Sequence, residues 1–414
     1  MSVIRVLSRL AGISLIVVAG ASGVRADSVL TLAAAERLAF ERAPALARER
    51  ANVAASAERV VSQGRLPDPQ LILGALNVPA DSYSFRQEDM TMTMVGVRQT
   101  FPPGDTLGAR TRRAEREHER EEARLENERR DLLRQVRATW LELYYAEQGE
   151  RLLQATRRLA QRDLEAAEAR FRAAQDTQRA VLRARQALAR IDEREPMLHA
   201  ASERARANLM RWIGQDARAP LPEALPTLPT PAAGFEPERH PEWLAARAEL
   251  GATQAEVDMA RQEYKPGWML DLSYGFRRPM PDGTERPNMV TAMVTFDLPV
   301  FRAKRQDRRL AESEAREAAA RLDTEDKRRE LEAMYDALRA EHAALAARVR
   351  VFEKELVPSL LRETEITLSG FAREQTELRE ARMRLLDAEL ELLRLRVDLA
   401  KTQAEMLYLT GEGS

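Results

Sequence analysis

The sequence predicts a mainly α-helical protein that carries membrane β-strands and is built as an internal duplication. Two stretches alternate apolar and polar residues with a period of two, long Ala-, Leu-, Arg- and Glu-rich runs keep a heptad seam, and residues that break or shape helices recur at one fixed offset. The 414 residues carry 65 basic and 66 acidic side chains and only 5% aromatics. That composition suits long helices better than a compact enzyme core, and near-neutral charge gives no footprint for nucleic acid.

Residues 1–26 read as a signal peptide outside the fold. Arg5 and Arg9 make a basic start, Leu10 to Ala21 is apolar, and Val24-Arg25-Ala26 offers a peptidase site before Asp27. The apolar run is shorter than the ~20 residues of a spanning helix. The sequence has no cysteine, so disulfides, cysteine-ligated metals and a lipidated N-terminus are not expected. No later segment reads as a membrane helix, which leaves strands closed into a barrel as the way into lipid.

The clearest strands lie between Pro266 and Pro299. Trp268, Leu270, Leu272, Tyr274 and Phe276 alternate with Met269, Asp271, Ser273, Gly275 and Arg277, and after a turn-rich segment Val290, Ala292, Val294, Phe296 and Leu298 alternate with Thr291, Met293, Thr295 and Asp297. Each strand has roughly the 9–11 residues that cross a bilayer at a tilt. The first five residues are therefore expected to face lipid. A less regular hairpin is expected over 70–78 and 90–100, and Met90, Met92 and Met94 read as part of the same apolar band, with soft-metal binding the weaker reading.

The chain is written twice. Pro44 and Pro241, Pro69 and Pro266, Pro102 and Pro299, Ala184 and Ala381, and Gly214 and Gly411 each stand 197 residues apart. A first repeat is expected over 27–214 and a second over 238–411, with strands at about 268–277 and 289–298 and a short tail at 412–414. Six prolines between 215 and 237 mark an extended connector. After Pro102 and Pro299 come long helices, which predict an elongated molecule. Leu331, Tyr335, Leu338, His342, Leu345, Val349, Phe352 and Leu356 keep alternating spacings of four and three, a coiled-coil seam.

Four strands cannot close a barrel, and open edges in lipid leave backbone groups unpaired. Three chains would supply 12 strands and continue their helices as one cylinder, a trimeric channel with four strands from each protomer.

The local patterns then resemble the TolC-type outer-membrane efflux channel family. They are Phe171 with Ala174, then Val181-Leu182 with Ala184, and Asn208 to Gly214; in the second half, Leu368 to Phe371, Leu378 with Ala381, and Glu405 to Gly411. The family's usual Tyr-x-x-Gly is replaced by Phe171 and Ala174, and in the second copy the glycine is displaced to Gly370. The resemblance spans about residues 28–411. It implies a homotrimer in outer-membrane lipid of a Gram-negative bacterium, extending through the periplasm to an adaptor protein and a proton-driven inner-membrane pump. Such a channel does no chemistry, needs no cofactor and binds no nucleic acid.

If 171–181 and 368–378 are the turns at the periplasmic end, then Phe171, Ala174, Leu368, Gly370 and Phe371 are the adaptor-contact tips. Asp176, Glu374 and Glu377 would form acidic rings at the gate, favouring cations. Glu389 to Leu392 resemble the heavy-metal-exporting branch, which implies metal cations as cargo against a drug or solvent. His118, His199, His240 and His342 lack ligand spacing, and no catalytic motif is present. The competing reading is an exported periplasmic coiled-coil scaffold without a pore.

Overall fold

The computed structural model describes residues 29–231, 234–369 and 375–412; the expected signal peptide lies outside them. Four strands form one antiparallel sheet in chain order: β1 (Gln70–Leu76), β2 (Met92–Phe101), β3 (Gly267–Phe276) and β4 (Met289–Asp297). Pro69 and Pro266 stand immediately before β1 and β3, where a residue with no N–H costs no ladder bond.

The register sorts the sheet into two faces, because directly paired residues point the same way. One face carries Leu71 and Leu73, Val95 and Val97, Leu272 and Tyr274, and Val294 and Phe296. The other carries Arg98 bonded to Asp271 at 2.5 Å, with Ser273, Thr291 and Thr295. Met92 and Met94 belong to this second face, and Met90 precedes the strand. The expectation that these methionines join the apolar band is therefore corrected: period-two alternation gives two faces, and it was the pairing of Met94 with Gly275, beside Asp271 and Ser273, that assigned them.

Gly96 is required where β2 and β3 approach, since a Cβ there would lie 2.7 Å from the Ser273 Cβ. Beyond the strands the two hairpin loops are bolted together. Buried Arg286 donates to the carbonyls of Arg278, Phe85 and Glu88, and Arg277 donates to the Asp89 carbonyl. Among the described residues the outer edges of β1 and β4 have no strand partner.

The helices are α1 (Leu32–Arg42), α2 (Pro44–Gln63), α3 (Thr106–Arg172), α4 (Gln178–Asp192), α5 (Glu195–Ile213), α6 (Pro241–Gln262), α7 (Gln306–Val351), α8 (Val357–Ser369) and α9 (Gln375–Thr410). With 67 residues, α3 is about 100 Å long at ~1.5 Å per residue. Near the sheet α2, α3, α6 and α7 stand side by side in that order. Farther away α3 packs against α5 and α9, and α7 against α9.

The paired landmarks do the same physical work in both repeats. Pro44 and Pro241 open α2 and α6, where the missing N–H is free anyway. Gly214 and Gly411 follow α5 and α9 at φ of 65° and 76°, a conformation that favours glycine. The repeats differ in where the long helical pair is interrupted. In the first, Pro196 lies just past a break on the returning leg; in the second, a π-helical turn over Phe352–Leu356 precedes Pro358 on the outgoing leg.

The main core sits in the middle of the length. Trp140 is fully buried among Leu141, Leu143, Leu209 and Ile213, and its indole N–H donates to the Leu30 carbonyl at 3.0 Å. Burial follows the seam of α7 at Leu331, Tyr335 and Val349, packed against Met406, Leu409, Leu392 and Leu395 of α9, and fades at exposed Leu356. The proline-rich connector is extended and tied to this core: Leu221 is buried, Pro220 accepts from the Leu30 amide, and the Glu223 carbonyl accepts from the Tyr144 hydroxyl.

Candidate functional site

At the end of α3 the chain reverses through residues 173–177. The Gln175 amide donates to Arg170 and the Ala174 amide to Phe171, the two bonds of a Schellman cap. Such a cap needs a left-handed residue at the position of Ala174, whose φ is 54°. This explains why the family pattern ends in glycine there, and it means that alanine holds the turn under strain. Thr177 then caps α4 by accepting from the Ala180 amide, while Asp176 accepts from the Thr177 amide at 2.7 Å and pairs with Arg170 at 3.4 Å.

Phe171 is 46% exposed and Leu368, at the corresponding end of α8, is 62% exposed. Both are apolar surface at one end of the molecule. Glu377 is exposed in the first turn of α9; Gly370, Phe371 and Glu374 lie outside the described residues. Behind the tips, the paired alanines Ala184 and Ala381 are both buried. Of the expected acidic ring, Asp176 is already neutralised within its own chain. Farther along α9, burial pushes the Glu389 carboxyl up, and Glu391 accepts from Arg348 at 2.8 Å.

At the other end, Trp268, Leu270, Leu272, Tyr274 and Phe276 share one face, as alternation predicts. Leu272, Tyr274 and Phe276 are open to the surroundings, and Trp268 stacks on Phe101 at 3.9 Å. Where the helices meet the sheet lies a groove of about 1080 Å³ lined by α2, α3, α6 and α7. Eight of its lining side chains are Arg or Lys and four are Glu. The sequence reading missed this groove because its residues come from positions 59 to 316. One local signal was present: Lys304, Arg305, Arg308 and Arg309 crowd the start of α7, where the helix dipole favours acids.

Among the described residues no group of three or more His, Asp or Glu is placed to hold a metal ion, and no helix is long and apolar enough to cross a membrane. A duplicated chain whose long helices continue a four-stranded sheet, with one apolar face and two open edges, defines the TolC-type outer-membrane channel class. The family model of outer membrane efflux proteins matches residues 37–215 and 237–412, and the chain belongs to that family. Its members are transport proteins of the Gram-negative outer membrane with a periplasmic extension, and the chain is an outer-membrane efflux channel protein.

Solved structures agree on the fold. VceC of Vibrio cholerae, an outer membrane protein, is 18% identical with a TM-score of 0.77, over 92% of this chain and 96% of that one. CusC, described for its transmembrane channel formation, is 16% identical with a TM-score of 0.77, over 92% of each chain. The MtrE outer membrane channel of Neisseria gonorrhoeae is 18% identical with a TM-score of 0.71, over 92% of this chain and 89% of that one. No curated protein matches the chain by sequence.

Proposed function

We propose that three copies close a 12-stranded barrel in the outer membrane and a helical tunnel beneath it, forming the exit duct of a tripartite efflux system. The observation that carries this reading is the sheet. Among the described residues its β1 and β4 edges lack strand partners, and its exposed face carries an apolar band from Leu71 through Leu272 to Phe296, interrupted at Thr93 and Gln99. In lipid such edges leave backbone groups unsatisfied, and pairing β4 of one copy with β1 of the next removes every edge. Each protomer contributes its two repeats, 27–214 and 238–411.

The far end then meets a periplasmic adaptor, which couples the duct to a proton-driven inner-membrane pump. Phe171 and Leu368 supply exposed apolar contacts there, with Gly370 and Phe371 beside them in sequence. Glu374 and Glu377 act with Asp176 at the gate, although the Arg170 partner leaves Asp176 little net charge to contribute. A metal-cation cargo rests only on the resemblance around Glu389.

Leu272→Arg puts a charge on the proposed lipid face and should cost about 2–4 kcal/mol if it lies near the bilayer midplane. Ser273→Arg points to the other face and should assemble near normally. Membrane fractionation checks this: equal outer-membrane levels of the two variants would reverse or remove the assigned lipid face.

A further inference from the structure

We propose that the groove where the helices meet the sheet is an electropositive collar that favours anionic solutes in the lumen. The inference rests on the channel reading above and goes beyond it to the class of solute. Side chains from four helices standing side by side can line one groove only on their concave side. An adjoining hollow joins Arg305 and Arg309 to Gly267 and Asp297, which share the sheet face of Asp271. The groove therefore opens away from the apolar face, into the space that a closed trimer encloses.

Its charges do not cancel. Glu117 pairs with Arg59 and Arg113, Glu256 with Arg113 and Arg316, Glu263 with Arg309, and Glu312 with Arg316. Those four carboxylates are thus matched by four arginines. Arg110, Lys304, Arg305 and Arg308 remain, all exposed, with no carboxylate of this chain within 4.0 Å among the described residues.

Three of the four sit at the N-terminus of α7, with Arg305 at the cap. Exposed N–H groups already make that end positive, and although Asp307 answers them in the first turn, where it accepts from the Tyr264 hydroxyl, these three cations add like charge to like and outnumber it. The equivalent entry to α3 carries Asp105 at its cap. Where a local preference is broken without a packing gain, a functional role is the natural account. Three copies would set a belt of twelve cations without an ion-pair partner around the duct directly below the barrel, against six carboxylates from Asp297 and Asp307, and the net positive charge enriches anions locally and repels free metal cations.

The test is the reversal potential of the purified full-chain trimer in a planar bilayer under a potassium chloride gradient. Replacing Lys304→Glu, Arg305→Glu and Arg308→Glu together should lower chloride-over-potassium permeability roughly twofold or more at 0.1 M salt, where the screening length is about 10 Å. Arg308→Lys should leave it unchanged. The unmodified channel gives a second readout free of folding effects: its chloride permeability relative to potassium should fall as salt rises to 1 M, where screening is about 3 Å. Pores whose preference ignores both the charge reversal and the salt would overturn the collar while leaving the channel intact, as would carboxylates supplied by a neighbouring protomer. A trimer that forms no pore would overturn both.

Discussion

The middle of the molecule and the turn between α3 and α4 are built from the same Ala, Leu, Arg and Glu, yet they are held very differently. In the middle α3 is covered by α1, α5, α9 and the connector, so Trp140, Leu143, Leu209 and Ile213 are all fully buried. Arg137 is buried there too, bonded to Glu36 at 2.6 Å. At the tip the core shrinks to Leu164, Ala167 and Ala184, with Val181 and Leu188 partly covered, and Phe171 stands in the open. Extra layers rather than different residues make the difference. Stability should therefore concentrate in the middle, and the tip should be the part that opens locally.

The comparison breaks if the two regions respond alike to truncation. Trp140→Ala should cost about 3–5 kcal/mol and abolish the heat-resistant oligomer. Val181→Ala should cost about 1 kcal/mol and lower its dissociation temperature slightly. Similar shifts for the two would show that the tip is as well packed as the middle.

A pH series sharpens the contrast. Burial, with help from Arg130 and Lys327 and against Glu242, lowers the His240 pKa to about 4. Its imidazole lies edge-on to Tyr408 at 5.2 Å. A folded-state value below the ordinary one means that the stability is complete above about pH 6.5 and is lost as pH falls toward 4, by on the order of 3 kcal/mol. His240→Asn puts an amide oxygen in place of the imidazole Nδ1 that caps α6 by accepting from the Glu242 amide, and should flatten the pH dependence of oligomer melting over that range. An unchanged slope would remove His240 from the account.

The smallest effect is expected at the tip. Ala174→Gly relieves the left-handed strain and should stabilise the turn by about 1 kcal/mol, read as slower amide exchange over 171–177. Faster exchange there would mean that the turn is not the strained Schellman cap described.

The sequence made the backbone of the fold legible wherever a residue constrains φ or hydrogen bonding by itself. Pro44, Pro241, Gly214 and Gly411 announced helix ends, and alternation at 268–276 announced a strand and the common face of its apolar residues. What stayed hidden depends on pairing. The side chosen by Met92 and Met94 follows from their register against β3. The π-helical turn at Phe352–Leu356 followed no visible breaker before Pro358, and the basic groove joins Arg110 to residues about two hundred positions away. In a chain with 65 basic side chains, such a cluster reads as ordinary solvated charge until the fold brings it together.

The central claim is that this sheet is one third of a closed barrel. The most direct measurement is the protein mass of the detergent-extracted particle from outer membranes, determined before and after heating. The account predicts three copies of the processed chain that fall to single chains on boiling; a monomer or dimer recovered from the soluble periplasmic fraction would contradict it.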